Sequence, residues 1–128
     1  MSDTKNVKPA QAALVIEINE DGHLECPGCS GSGAYLHHRV VNVYSRQEDN
    51  PSQLTSVFHN GTVNVQNNAR GNPSARRDGV SIRFSCELCG GGYALELAQH
   101  KGQTEMHWRE LSEPEAEWLR SDLERNAF

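Results

Sequence analysis

The side chains with the clearest chemical potential in this chain are its four cysteines. They occur as two pairs, Cys26-Pro27-Gly28-Cys29 and Cys86-Glu87-Leu88-Cys89. A Cys-x-x-Cys turn aims two thiolates at one ion. The glycines beyond each pair (Gly31 and Gly33; Gly90, Gly91 and Gly92) relieve the tight, partly left-handed backbone of such a knuckle. Two knuckles supply the four sulfurs of a tetrahedral site, so Cys26, Cys29, Cys86 and Cys89 are predicted to bind one structural Zn2+. A four-sulfur shell is closed: it builds a fold and leaves no coordination position for a reacting molecule. Thioredoxin-like redox chemistry needs its Cys-x-x-Cys at a helix start in a βαβ setting, and neither pair has that context.

Histidines and arginines are the remaining candidates. His37-His38 follows the first knuckle, and a divergent HNH-type, metal-dependent nuclease is the alternative reading. In it His37 or His38 is the general base, and Asn60, Asn67 or Asn68 orients it. Three features oppose this. His100 falls at a turn, the residues after Cys89 read as strand where that class has helix, and the net charge is −5. His23, His59, His100 and His107 read as surface or turn histidines once four thiolates are available. Arg70, Arg76 and Arg77, with Arg83 nearby, are the candidate partner-binding residues, because guanidinium forks pair with phosphates or carboxylates. The chain has no phosphate-binding Gly-rich loop, no Gly-x-Ser-x-Gly elbow and no His-Glu-x-x-His.

The elements that must position these residues are mostly strands. Leu14, Ile16 and Ile18 alternate with Val15, Glu17 and Asn19 and predict a strand over 12–18, followed by a turn at Asn19-Glu20-Asp21-Gly22. Residues 35–44 read as extended, with Val40, Val41 and Val43. Asn60-Gly61 between 54–59 and 62–66 is the best hairpin signal, since a type I′ turn needs positive φ at both positions. Val80, Ile82 and Phe84 lead into Cys86. Tyr93, Leu95 and Leu97, a turn at His100-Lys101-Gly102-Gln103, and a return with Met106 and Trp108 then predict a second hairpin. Ser112-Glu113-Pro114-Glu115 is a capping box, opening a helix with Trp118, Leu119 and Leu123 on its apolar stripe.

The expected fold class is therefore mostly β (α+β): zinc-ribbon-like β-hairpins, a long β insertion between the knuckles, and one C-terminal helix over 112–126. Residues 1–11 are expected to be a flexible lead-in to a single domain over 12–128, with a mobile Arg/Gly/Asn loop at 67–79. The 56 residues between the knuckles form a segment closed by the metal, at a chain-entropy cost that grows only logarithmically with length.

Composition agrees with a need for such a staple. Apolar residues make up 36% of the chain and aromatics 6%, a thin core for 128 residues. No apolar run reaches the ~20 residues of a membrane span, and the polar start lacks a secretory signal. An intracellular, reducing compartment, the cytoplasm, is the expectation, and there paired cysteines favour metal over disulfide. The acidic balance opposes indiscriminate nucleic-acid binding.

Cys26 to Gly33 reads Cys-x-x-Cys-x-Gly-x-Gly and resembles the cysteine-rich repeat of DnaJ-type chaperones, whose repeats pair to hold zinc. The second knuckle keeps Cys86, Cys89 and Gly91 and has Tyr93 where the repeat's final glycine would stand. More broadly, residues 24–109 resemble small zinc-ribbon proteins of bacteria and their phages. The resemblance rests on Cys-Pro-Gly-Cys, the Arg-Arg-Asp-Gly loop, the strand into Cys-x-x-Cys and the Gln-His-Lys-Gly-Gln turn, and implies a bacterial or phage source. The functional expectation is a non-enzymatic zinc-binding module, an adaptor or inhibitor that recognises a protein or nucleoprotein partner, with nucleic acid reached through the arginine loop.

Overall fold

The computed structural model describes residues 14–29, 35–46 and 52–125, with side chains to Ser121. Six strands and one helix follow in order: β1 (Leu36–Arg46), β2 (Gln53–His59), β3 (Thr62–Gln66), β4 (Gly79–Cys86), β5 (Gly92–His100), β6 (Gln103–Glu110) and α1 (Glu113–Arg125). They form one antiparallel sheet in the order β3-β2-β1-β4-β5-β6. The mostly-β class with a C-terminal helix is as the sequence predicts. Of the predicted strand over 12–18, the described residues 14–18 form no strand. Its described part makes a single bridge, Ile18 to Leu24, around a turn in which the Asn19 side chain accepts from the amides of Asp21 and His23. Residues 12 and 13 and the lead-in before them lie outside the described residues, as does the side chain of Leu123.

The sheet is two three-stranded meanders joined where β1 pairs with β4. Both tight hairpins turn through positive φ. Asn60 and Gly61 are at 52° and 75°, and Lys101 and Gly102 at 50° and 81°, as two-residue loops matching strand twist require. The cysteine turns lie beside the Leu36–Cys86 end of the β1–β4 ladder, and the connection 67–78 lies at its Tyr44–Gly79 end. About 23 Å of β4 separates the two ends.

Strand register sorts side chains onto two faces. One carries Phe84, Tyr93, Leu95 and Trp108, with Leu14, Ile16 and Leu24 packed against the same cluster. The other carries Val40, Arg83 and Ala94, and α1 packs over it through Leu119, with Leu111 just before the helix. Alternation in the sequence predicts one buried face for β5, yet Tyr93 through Glu96 are all buried, because the sheet is covered on both sides at its centre. Glu96 is tolerated there because His107 and Arg109, its cross-strand neighbours on β6, bond its two carboxylate oxygens. A bulge between His38 and Val40 shifts the β1 register, so His38 lies with Phe84 while Val40 lies with Arg83 on the helix side.

The helix begins as its sequence predicts. The Ser112 hydroxyl accepts from the Glu115 amide at 3.4 Å, and the Glu115 carboxylate accepts from the Ser112 amide at 3.3 Å. Burial raises the Glu115 pKa, but the Ser112 donors and the charges of Arg83 and Arg109 outweigh it, leaving that carboxyl below its ordinary value.

Residues 67–78 cross the far end of the helix-side face, held by polar bonds. Thr55 donates to the Asn68 carbonyl, Ser74 to the Gln99 carbonyl, and the Asn72 side chain both donates to the Arg77 carbonyl and accepts from the Ser74 amide.

Candidate metal centre

The first knuckle precedes β1 and the second joins β4 to β5, so the β1–β4 pairing brings the two together. Each is a tight backbone turn. The Cys29 amide donates to the Cys26 carbonyl at 3.3 Å, and the Gly90 amide to the Cys86 carbonyl at 3.0 Å, with Gly90 at φ 74°. The Cys86 amide donates to the Gly91 carbonyl at 3.0 Å, which closes the second turn on itself.

The four sulfurs lie within 4.8 Å of one another. Across the site, Cys29 and Cys86 are 3.5 Å apart and Cys26 and Cys89 are 3.9 Å apart. Sulfurs about 2.3 Å from a tetrahedral ion lie about 3.8 Å from each other, whereas a disulfide brings them to ~2.05 Å. The separations match a shared ion, and the four cysteines could hold one. Cys26 and Cys86 are buried, Cys29 is half-buried and Cys89 is exposed, so the cluster opens to solvent on the second knuckle.

Sequence reasoning missed Tyr93 as part of this site. Its hydroxyl is 3.6 Å from the Cys89 sulfur. Burial, then the bond to Cys89, pushes the Tyr93 pKa well up, so the hydroxyl keeps its proton and donates it. At Cys89 burial opposes the thiolate, but the Tyr93 hydroxyl and the Gly91 amide outweigh it and bring the pKa down to about 7. Burial and a hydrogen bond with Cys86 push Cys29 up to about 11, and burial raises Cys26 further. Of these three sulfurs Cys89 is thus the first to ionise. A Cβ on Gly28 or Gly91 would run into the Tyr93 hydroxyl, so these two glycines admit the ring between the knuckles. The only signal in the sequence was Tyr93 standing where a DnaJ-type repeat ends in glycine.

The helix is tied to the same place. Arg120 donates to the Gly90 carbonyl and pairs with Glu113 at 2.9 Å. The Leu111 amide donates to the Gly92 carbonyl, and a Cβ on Gly92 would press on Ala116. The second knuckle therefore sets both a cysteine pair of the cluster and the seat of α1.

The other sequence candidates are dispersed. His37 bonds the Glu87 carboxylate at 3.1 Å, and His38 meets Phe84 edge-on. Among the described residues the four cysteines are the one group of three or more His, Cys, Asp or Glu side chains placed to share an ion. Arg83 pairs with Glu115 at 3.1 Å beneath α1, while Arg70, Arg76 and Arg77 are exposed on the 67–78 connection. The arginines thus divide between a strand and a loop rather than forming one patch. Among the described residues no helix is long and apolar enough to cross a membrane. Comparison with protein-family models, with curated proteins and with solved structures finds no match for this chain.

Proposed function

We propose that this chain is a zinc-stabilised binding module, with one Zn2+ held by Cys26, Cys29, Cys86 and Cys89, that recognises a protein or nucleoprotein partner as an adaptor or inhibitor. The observation that carries this reading is the four-sulfur cluster itself. Thiolates select soft or borderline ions, tetrahedral four-sulfur geometry favours zinc, and four protein ligands leave none of its positions to a substrate. The ion acts as a clasp: it joins the segment before β1 to the β4–β5 turn, and that turn seats α1. Recognition is then the work of the surface so fixed, with Arg70, Arg76 and Arg77 as its exposed cations, while Arg83 is paired with Glu115 beneath α1.

The nuclease alternative at His37 and His38 gains nothing from the geometry, since each ring is engaged by a neighbour and, among the described residues, no cluster of metal ligands surrounds them.

Elemental analysis of purified protein tests the first half of the reading, with one zinc per chain expected. A Cys86→Ser variant that retains full zinc and an unchanged Tm overturns it. Partner capture with zinc-loaded and Cys86→Ser protein tests the second half: a stoichiometric partner should be retained by the loaded form and lost by the variant. Cleavage of plasmid DNA in Mg2+ or Mn2+, abolished by His38→Ala, overturns the binding-module reading in favour of the nuclease.

A further inference from the structure

Between α1 and the 67–78 connection, on the helix-side face, lies a cleft of about 510 Å3. That is the size of a small-molecule site. Its floor is β1 and β2, and about 13 Å of β2 separates Thr55 at one end from His59 at the other. Three features of its walls together describe a ligand.

The first is an aromatic platform. Trp118 is 45% exposed, unusual for the largest apolar side chain of a helix that packs on a sheet, and its ring lies 5.1 Å from that of His59 at the mouth of the cleft. A flat ring laid on Trp118 would cover it.

The second is charge. The chain is acidic overall, yet the charged side chains lining the cleft are Arg70, Arg83 and Glu115. Glu115 balances Arg83, which leaves Arg70 on the loop rim as an excess cation. The cleft thus selects an anionic group on the side away from the platform.

The third lies in the floor. The Asn42 Oδ1 and Arg83 Nε atoms are enclosed and have no hydrogen-bond partner, while Asn42 Nδ2 donates to the Tyr44 hydroxyl at 3.1 Å. An unpaired acceptor and an unpaired donor under one cleft each cost stability until a partner arrives. An amide side chain turned to a base edge pairs with an amino group and the ring nitrogen beside it.

We infer that this cleft binds a nucleoside 5′-monophosphate bearing an amino-substituted base. The base stacks on Trp118 beside His59, Asn42 reads its amino edge, and the phosphate meets Arg70. The inference rests on the binding-module reading and names the chemistry that module recognises. The same group is presented by a free nucleotide and by the phosphorylated 5′ end of a single strand.

The test is calorimetric titration of the intact zinc-loaded protein with AMP, IMP, adenosine, inorganic phosphate and a 5′-phosphorylated oligo(dA). AMP should bind one per chain, at least tenfold tighter than adenosine or phosphate and at least fivefold tighter than IMP, which carries a keto group in place of the amine. Arg70→Glu, a surface change, should weaken AMP at least tenfold with Tm unchanged. Trp118→Leu should weaken AMP and adenosine alike, and Asn42→Ala should remove the preference for AMP over IMP. The oligonucleotide binding tenfold tighter than AMP assigns the site to strand ends, and equal affinity assigns it to free nucleotide; both support the inference. Absence of saturable AMP binding, or wild-type affinity in Arg70→Glu, overturns it. Partner capture that persists in a chain binding no nucleotide removes the cleft assignment and leaves the binding-module reading standing.

Discussion

The hydroxyl of Tyr93 sits 3.6 Å from the sulfur of Cys89, held between the two cysteine knuckles where Gly28 and Gly91 leave room for it. A strand residue thereby stabilises the most exposed of the four sulfurs as a thiolate. Removing the hydroxyl alone, by Tyr93→Phe, should keep the ring packed against Trp108 and weaken metal affinity. Groups that orient metal ligands are commonly worth about 10–100-fold in affinity. Competition with a chromophoric chelator measures this, and an unchanged affinity would remove Tyr93 from the site.

Gly28→Ala should lower Tm and metal affinity together, because its methyl group meets the Tyr93 hydroxyl. The two changes should couple. Gly28→Ala should cost less in a Tyr93→Phe background than in the wild type, since the nearest clashing atom is gone. A double-mutant cycle read by thermal unfolding checks it, and strict additivity would count against the steric account.

Metal retention should depend on pH with a definite sign. Cys29, raised to about 11, and the still higher Cys26 are protonated in the ion-free chain at neutral pH, so binding must expel protons. Affinity should therefore rise with pH and fall as acid restores the thiols. Cys89, at about 7, should be the last of these three to regain its proton. Proton release on zinc binding, from titrations in buffers of different ionisation enthalpy, gives the number directly. Chelation at constant pH should lower Tm, because the segment before β1 then loses its tie to β4.

The capping box offers a test away from the cysteine cluster. Ser112→Ala should cost about 1 kcal/mol through the lost cap. Glu115 has a folded pKa below its unfolded one, so its contribution is present above the unfolded value of about 4.3. It is lost as pH falls through the lower folded value. Glu115→Gln should flatten that acid limb of the stability curve and leave its shape above pH 6 unchanged. The effect should be small, since the Glu115 side chain is 40% exposed and screened.

What the sequence determined by itself is local. Cys-x-x-Cys spacing, the Asn60-Gly61 turn and the Ser112–Glu115 box are fixed by backbone geometry over four residues or so, and each is present as read. Strand positions followed too, because two-residue periodicity is a short-range signal. Where alternation spoke only of one face, as at Glu96, it was silent on whether the other would be covered. That depends on α1 and on partners such as Arg109, thirteen residues on. The described part of the strand predicted over 12–18 makes only the Ile18–Leu24 bridge, because the neighbour it meets past the turn, residues 23–25, runs at once into the first knuckle.

Only the tertiary structure decided how the knuckles, 56 residues apart in the sequence, meet through the pairing of β1 with β4, and that Tyr93 enters between them. It also divided the arginines, placing Arg83 beneath the helix and Arg70 across a cleft from Trp118. Such relations join residues tens of positions apart. Their energies come from burial and from hydrogen bonds that form once the sheet has closed, and no window of the sequence contains both partners.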